Sequence, residues 1–94
     1  MTTYIARMLD SATGAEGAYR FEHREYLMDR PADDVVAAFF EHAERDVFTR
    51  GHVQYELNGV VKNAKQRTVV AIGQMRMEGD TDYQPFTIFI APQR

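Results

Sequence analysis

The stretch "HVQYELNGVVKNAKQ", residues 52–66, carries a strong turn dipeptide, Asn58-Gly59, in the middle of an apolar run. A two-residue hairpin turn at Asn58-Gly59 would fold the chain back on itself there. A β-bulge at the same place would let one strand run on to Val61 and move the turn to "KNAKQ", residues 62–66. The two readings give different strand counts. Val60 and Val61 make a poor turn exit, so the bulge is expected. Before it, Val53, Tyr55 and Leu57 alternate with His52, Gln54, Glu56 and Asn58, the period of a strand with one apolar side.

Working outward, "RTVVAIGQMRM" (67–77) reads as the fourth strand, "EGDTDYQ" (78–84) as a loop and "PFTIFIA" (85–91) as the fifth. Upstream lies the clearest segment of all, "MDRPADDVVAAFFEHAERDVF". Pro31 suits a first helical position, and Asp33 and Asp34 fall in the first turn, where the helix dipole favours negative charge. Val36, Phe39, Phe40, Ala43 and Val47 recur at helical spacing, with Glu41, Glu44 and Arg45 outside the stripe and Gly51 as a stop. At the N-terminus, "TYIARML" (3–9) predicts a first strand, "DSATGAEG" (10–17) a loop, and residues 18–28 a second strand. The chain is therefore expected to be one α+β domain over residues 1–94, in the order β-β-α-β-β-β. Its sheet is expected to be curved and mostly antiparallel, with one helix packed on one face.

Ninety-four residues leave no room for two cores, and 45% hydrophobic with 27% charged residues is an ordinary globular balance. With no cysteine there are no disulfides, thiolate metal sites, Cys nucleophiles or thiol redox switches, which fits a reducing cytoplasm. "MTTYIARMLD" has no apolar core of signal-peptide length, and no run approaches the roughly 20 apolar residues of a membrane helix. A soluble, cytoplasmic protein with no membrane partner is expected. The net charge of −3 is the wrong sign for a protein that lives mainly on nucleic-acid phosphates.

Three strands have apolar residues on both sides. Tyr4 and Met8 oppose Ile5 and Leu9; Val69, Ala71, Met75 and Met77 oppose Val70 and Ile72; Phe86, Ile88 and Ile90 oppose Phe89 and Ala91. A half-solvated antiparallel strand alternates instead. One helix of about 16 residues is only ~24 Å long and ~10 Å wide, so it covers one face at most. A homodimer through the sheet is expected, face to face or by edge pairing, with the first or fifth strand as an open edge that could also take a protein partner by strand addition. The alternative is a tightly coiled monomer wrapped around its helix.

Chemistry is sparse. "FEHREY" (21–26) puts Glu22 and Arg24 on a charged strand side, while His23 and Glu25 interrupt the apolar row of Tyr19, Phe21 and Leu27. On a common half-buried face His23 and Glu25 would form a general-base pair; a bulge or strand end there would turn them to water. With His52 and Tyr55 they are the candidate polar groups of a small-molecule pocket or small enzyme, with the pocket between helix and sheet. "FFEHAERD" is not a zinc helix, because His42 has no second histidine at helical spacing. No metal or cofactor is expected. Lys62, Lys65 and Arg67, with Arg20, Arg24 and Arg76 on strands, make a basic group that would suit a weak nucleic-acid binder if Tyr19, Phe21, Tyr26 and Tyr55 lay exposed to stack bases. No phosphate loop, nucleophile elbow, Ser/His/Asp grouping or family signature is legible. The leading expectation is a non-catalytic protein–protein interaction module acting as a homodimer.

Overall fold

Asn58 is the extra residue of a β-bulge. In the computed structural model, Leu57 pairs with Gly73 and Gly59 pairs with Ile72, leaving Asn58 opposite no partner of its own. The bulge lies within a single long strand, and the chain turns beyond it at residues 64–67. The described residues are 1–10, 14, 16–48 and 52–93. They form β1 (Thr2–Asp10), β2 (Glu16–His23), a 3-10 turn (Leu27–Asp29), α1 (Ala32–Asp46), β3 (Val53–Asn63), β4 (Thr68–Met77) and β5 (Gln84–Pro92). The expected helix stop at Gly51 lies outside the described residues. Pro31 sits one residue before α1 as its N-cap, and its carbonyl accepts the Asp34 amide at 3.0 Å.

The five strands make one antiparallel sheet in the order β2-β1-β5-β4-β3. The α+β class and the β-β-α-β-β-β order stand as the sequence indicates. The edges do not. The first or fifth strand is expected as an open edge, but β1 and β5 both lie inside the sheet, and β2 and β3 form its borders. The reason is visible in composition: β1, β5 and β4 are the three strands with two apolar sides, and they pair on both flanks, leaving the half-polar strands outside.

The second strand also stops sooner than expected, at His23 rather than Met28. The buried Tyr4 hydroxyl reaches past the strand end, accepting the Leu27 amide at 2.8 Å and donating to the Glu25 carbonyl at 3.1 Å. Those backbone groups have a partner without a sheet ladder, so the chain leaves the sheet and enters the 3-10 turn. Leu27 and Met28 then plug the core from the turn.

The core lies between α1 and one sheet face. Val35, Val36, Phe39, Phe40 and Ala43 from the helix meet Tyr4, Phe21, Val69, Phe86, Ile88 and Ile90 from the strands, all buried. Its aromatic rings touch at favourable angles: Phe40 meets Phe86 at 5.5 Å and Phe39 meets Phe21 at 5.9 Å, both edge to face. The bulge keeps β3 in register with this core. Val53, Tyr55 and Leu57 face α1 before it, and Val60 does so after it, on the other parity.

Opposite α1, none of the described elements covers the sheet. Phe89 on the central strand is 45% exposed, Ile72 52%, Leu9 39% and Val61 67%. Ile5, Val70 and Ala91 complete the patch, half-buried between them by the pairings Ile5↔Ala91 and Val70↔Phe89. Its flanks are polar: Glu16, Arg20 and Glu22 on β2, Gln54 and Glu56 on β3.

The bulge depends on a glycine across from it. A Cβ added at Gly73 would land on the Glu56 carbonyl oxygen and crowd Leu57 Cα at 3.2 Å, both backbone atoms that cannot swing aside. Gly73→Ala should therefore cost roughly 2–3 kcal/mol of unfolding free energy. Urea denaturation followed by circular dichroism measures it, and an unchanged midpoint would contradict this account of the bulge.

Candidate functional site

His23 closes β2 opposite Thr2 and is half-buried. Its Nδ1 accepts the backbone N–H of Glu25 at 3.1 Å. The Glu25 carboxylate points elsewhere, to Arg30 at 2.6 Å, which also binds Asp34 at 3.1 Å. The strand ends between the two residues, so they share no strand face. Their link runs through an amide, not from carboxylate to imidazole.

His52 lies just before β3, with its side chain 69% exposed. Its Nδ1 stands 2.8 Å from Glu44 Oε1, and the same carboxylate oxygen accepts the Val53 amide at 2.7 Å. Glu44 thus ties the last turn of α1 to the start of β3. Two residues on, Tyr55 lies flat on Phe40, with ring centroids 4.1 Å apart and planes 13° from parallel. Burial, and then the negative charges of Asp33 and Glu44, raise the Tyr55 phenol above its ordinary value of 10.0.

These four candidates fall into two pairs. His23 and Glu25 belong to the β2 edge, His52 and Tyr55 to the β3 edge, and β1, β5 and β4 run between them. At about 4.8 Å per strand spacing, the borders are roughly 19 Å apart along the sheet. The third histidine, His42, stacks on Phe21 at 5.5 Å and stands 3.2 Å from Asp46. Among the described residues no three of His, Asp or Glu are grouped so that they could hold a metal ion.

The basic hairpin is more organised. Lys62 Nζ donates to the Arg30 carbonyl at 3.0 Å, and Arg67 Nη1 donates to the Tyr26 hydroxyl at 2.9 Å. The Arg67 guanidinium also lies 5.7 Å from the centre of the Tyr26 ring. Arg67 takes the left-handed conformation, φ 52°, at the last position of the turn. Around these residues run two adjoining clefts of about 690 and 380 Å³ that share Tyr26 and Arg67. Lys65 lines the first and Lys62 the second.

Of the other cations grouped with them by sequence, Arg20 lies on β2 and Arg24 in the bend after it, while Arg76 sits at the far end of β4, over the Tyr83 ring at 5.2 Å. Tyr19 and Phe21 pack on Phe39, and Tyr55 on Phe40, so these rings serve the core side of the sheet. Tyr26 alone of the four lies beside the basic hairpin. Its role could not be read locally: it meets Arg67 across 41 residues, only because the strand stops early.

Comparison with protein-family models, with curated proteins and with solved structures gives no match.

The Tyr55 environment has a measurable consequence. Its folded-state pKa lies above the unfolded one, so the stability contributed by the neutral phenol is complete below pH 10. That stability is lost as pH rises through the folded value. Ultraviolet titration of the native protein against Tyr55→Phe should isolate one phenol with a midpoint above 10. A midpoint at or below 10 would contradict the buried, acid-flanked setting.

Proposed function

We propose that this chain is a non-catalytic interaction module that works as a homodimer, pairing through the sheet face opposite α1. The observation that carries the reading is the apolar patch centred on Phe89, with Leu9, Val61 and Ile72 all more than a third exposed around it. A monomer rarely keeps so many large apolar side chains together in water.

A second copy is the occupant that fits best. Five strands at ~4.8 Å spacing and ~9 residues at ~3.3 Å rise give a face of roughly 700 Å². A standard stable interface buries about 800 Å² per partner. The layout is a mostly apolar centre, crossed by Arg7 and Thr87 beside Phe89, with polar margins, the arrangement of protein interfaces generally. The margins also carry both signs: Glu16, Arg20 and Glu22 lie on β2, and Arg76 and Glu56 lie towards β3. A face with mixed charge at each border can meet its own copy without like charges massing. The side chains with acid–base potential support no catalytic reading, because they stand at opposite borders of the sheet. The cysteine-free composition suits work in a reducing cytoplasm.

Light scattering coupled to size-exclusion chromatography tests the proposal. The expected mass is twice the 10.8 kDa of one chain. Ile72→Glu should give the single-chain mass with an unchanged circular dichroism spectrum, because a carboxylate there stays solvated in the monomer and is buried in the dimer. A wild-type monomer at high micromolar concentration, or a mass unmoved by Ile72→Glu, would end this reading.

A further inference from the structure

The larger cleft, at the end of the sheet where the β3–β4 hairpin meets the start of β1 and the end of β5, is lined by no side-chain carboxylate among the described residues. Arg7, Arg30 and Arg45 each hold a carboxylate; Lys65 and Arg67, on one wall of this cleft, hold none among the described residues. From this juxtaposition we propose that the cleft binds a phosphorylated small molecule of about mononucleotide size, with its phosphate on Lys65 and Arg67.

The guanidinium is already in place. Tyr26 holds it through the hydroxyl that takes Nη1, with the ring centre 5.7 Å from the guanidinium carbon, which lowers the side-chain freedom to be lost on binding. Nη2 and Nε are left for an oxyanion, which a guanidinium fork suits in shape as well as charge. The rest of the lining matches the rest of such a molecule. Ala91 and Pro92 offer an apolar floor; Thr2, Gln66 and Gln93 offer hydroxyl and amide groups for a sugar or base. A volume of about 690 Å³ lies within the usual span of small-ligand sites. The overall negative charge opposes a long polyanion far more than one phosphate group, so a small ligand is favoured over a nucleic-acid strand. The adjoining smaller cleft supports this, since Asp29 lines it together with Lys62 and Arg67 and puts a negative charge among them. The site is at the end of the sheet and borders the proposed dimer face, with which it shares Ala91.

The test is a two-dimensional ¹H–¹⁵N titration of the full chain with adenosine monophosphate, inorganic phosphate and a short single-stranded RNA. Arg67→Gly is the informative variant, because φ 52° is a conformation glycine adopts freely, so the turn keeps its shape while the cation goes. Adenosine monophosphate should shift the amides of Tyr26, Gln66, Arg67 and Gln93 saturably, and inorganic phosphate should compete. Arg67→Gly and Lys65→Ala should each weaken binding roughly tenfold, with Arg20→Ala, outside the cleft, leaving it unchanged. No saturable shift up to about 10 mM adenosine monophosphate would overturn the proposal. So would an equal loss from Arg20→Ala, which would mark diffuse attraction, or RNA binding far tighter than the mononucleotide with a steep salt dependence.

Discussion

A helix of fifteen residues, ~22 Å long, can shield one face of a five-stranded sheet and leaves the other to water. Nearly everything distinctive in this fold follows from that limit. Phe39, Phe40 and Val36 draw the buried rows of all five strands onto one side. Three of those strands nevertheless carry apolar residues on their other side too, and they occupy the middle of the sheet. The bare face therefore has its large apolar residues on the inner strands, with Arg7 among them opposite Phe89 and the remaining charges towards the borders. Burying the exposed halves of Leu9, Ile72 and Phe89 would contribute on the order of 1 kcal/mol for each side chain. That is the gain a second copy would take.

The covered side is held in register by two local devices. Asn58 shifts β3 by one residue, so that Val60 faces the core where strict alternation would have turned it to the open face. The price of that shift is a close backbone approach, which only Gly73 permits. At the other border the Tyr4 hydroxyl satisfies two backbone groups of the chain leaving β2, and so ends the strand at His23. The same early ending carries Tyr26 towards the hairpin tip, where it holds Arg67. One buried hydroxyl in the first strand thus organises the cleft at the sheet's end.

What could be read from the sequence was what short-range pattern encodes. The helix, the five strands, the bulge at Asn58-Gly59 and the surplus of two-sided strands all rest on periodicity and turn chemistry within a dozen residues. Strand order was within reach as well, since the two-sided strands belong inside, but alternation alone does not state which neighbours pair. The end of β2 was not legible, because it is set by a hydroxyl more than twenty residues away. For His23 and Glu25 the pattern allows a shared strand face or, more readily, a bulge or strand end; the strand does end at His23, and the two residues are joined through an amide around a bend. Lys62, Lys65 and Arg67 stood out as a basic hairpin; the ring that orders Arg67 did not, because tertiary contact alone brings it there.

The central claim is that two copies meet across the open sheet face. Isotope-filtered nuclear Overhauser spectroscopy on a mixture of ¹³C-labelled and unlabelled chains addresses it directly, since it records only contacts between copies. The account predicts cross-peaks from the Phe89 ring of one copy to methyl groups of Leu9, Val70 and Ile72 in the other. Intermolecular peaks confined to the β2 or β3 borders, or none at concentrations where the protein is dimeric, would contradict it.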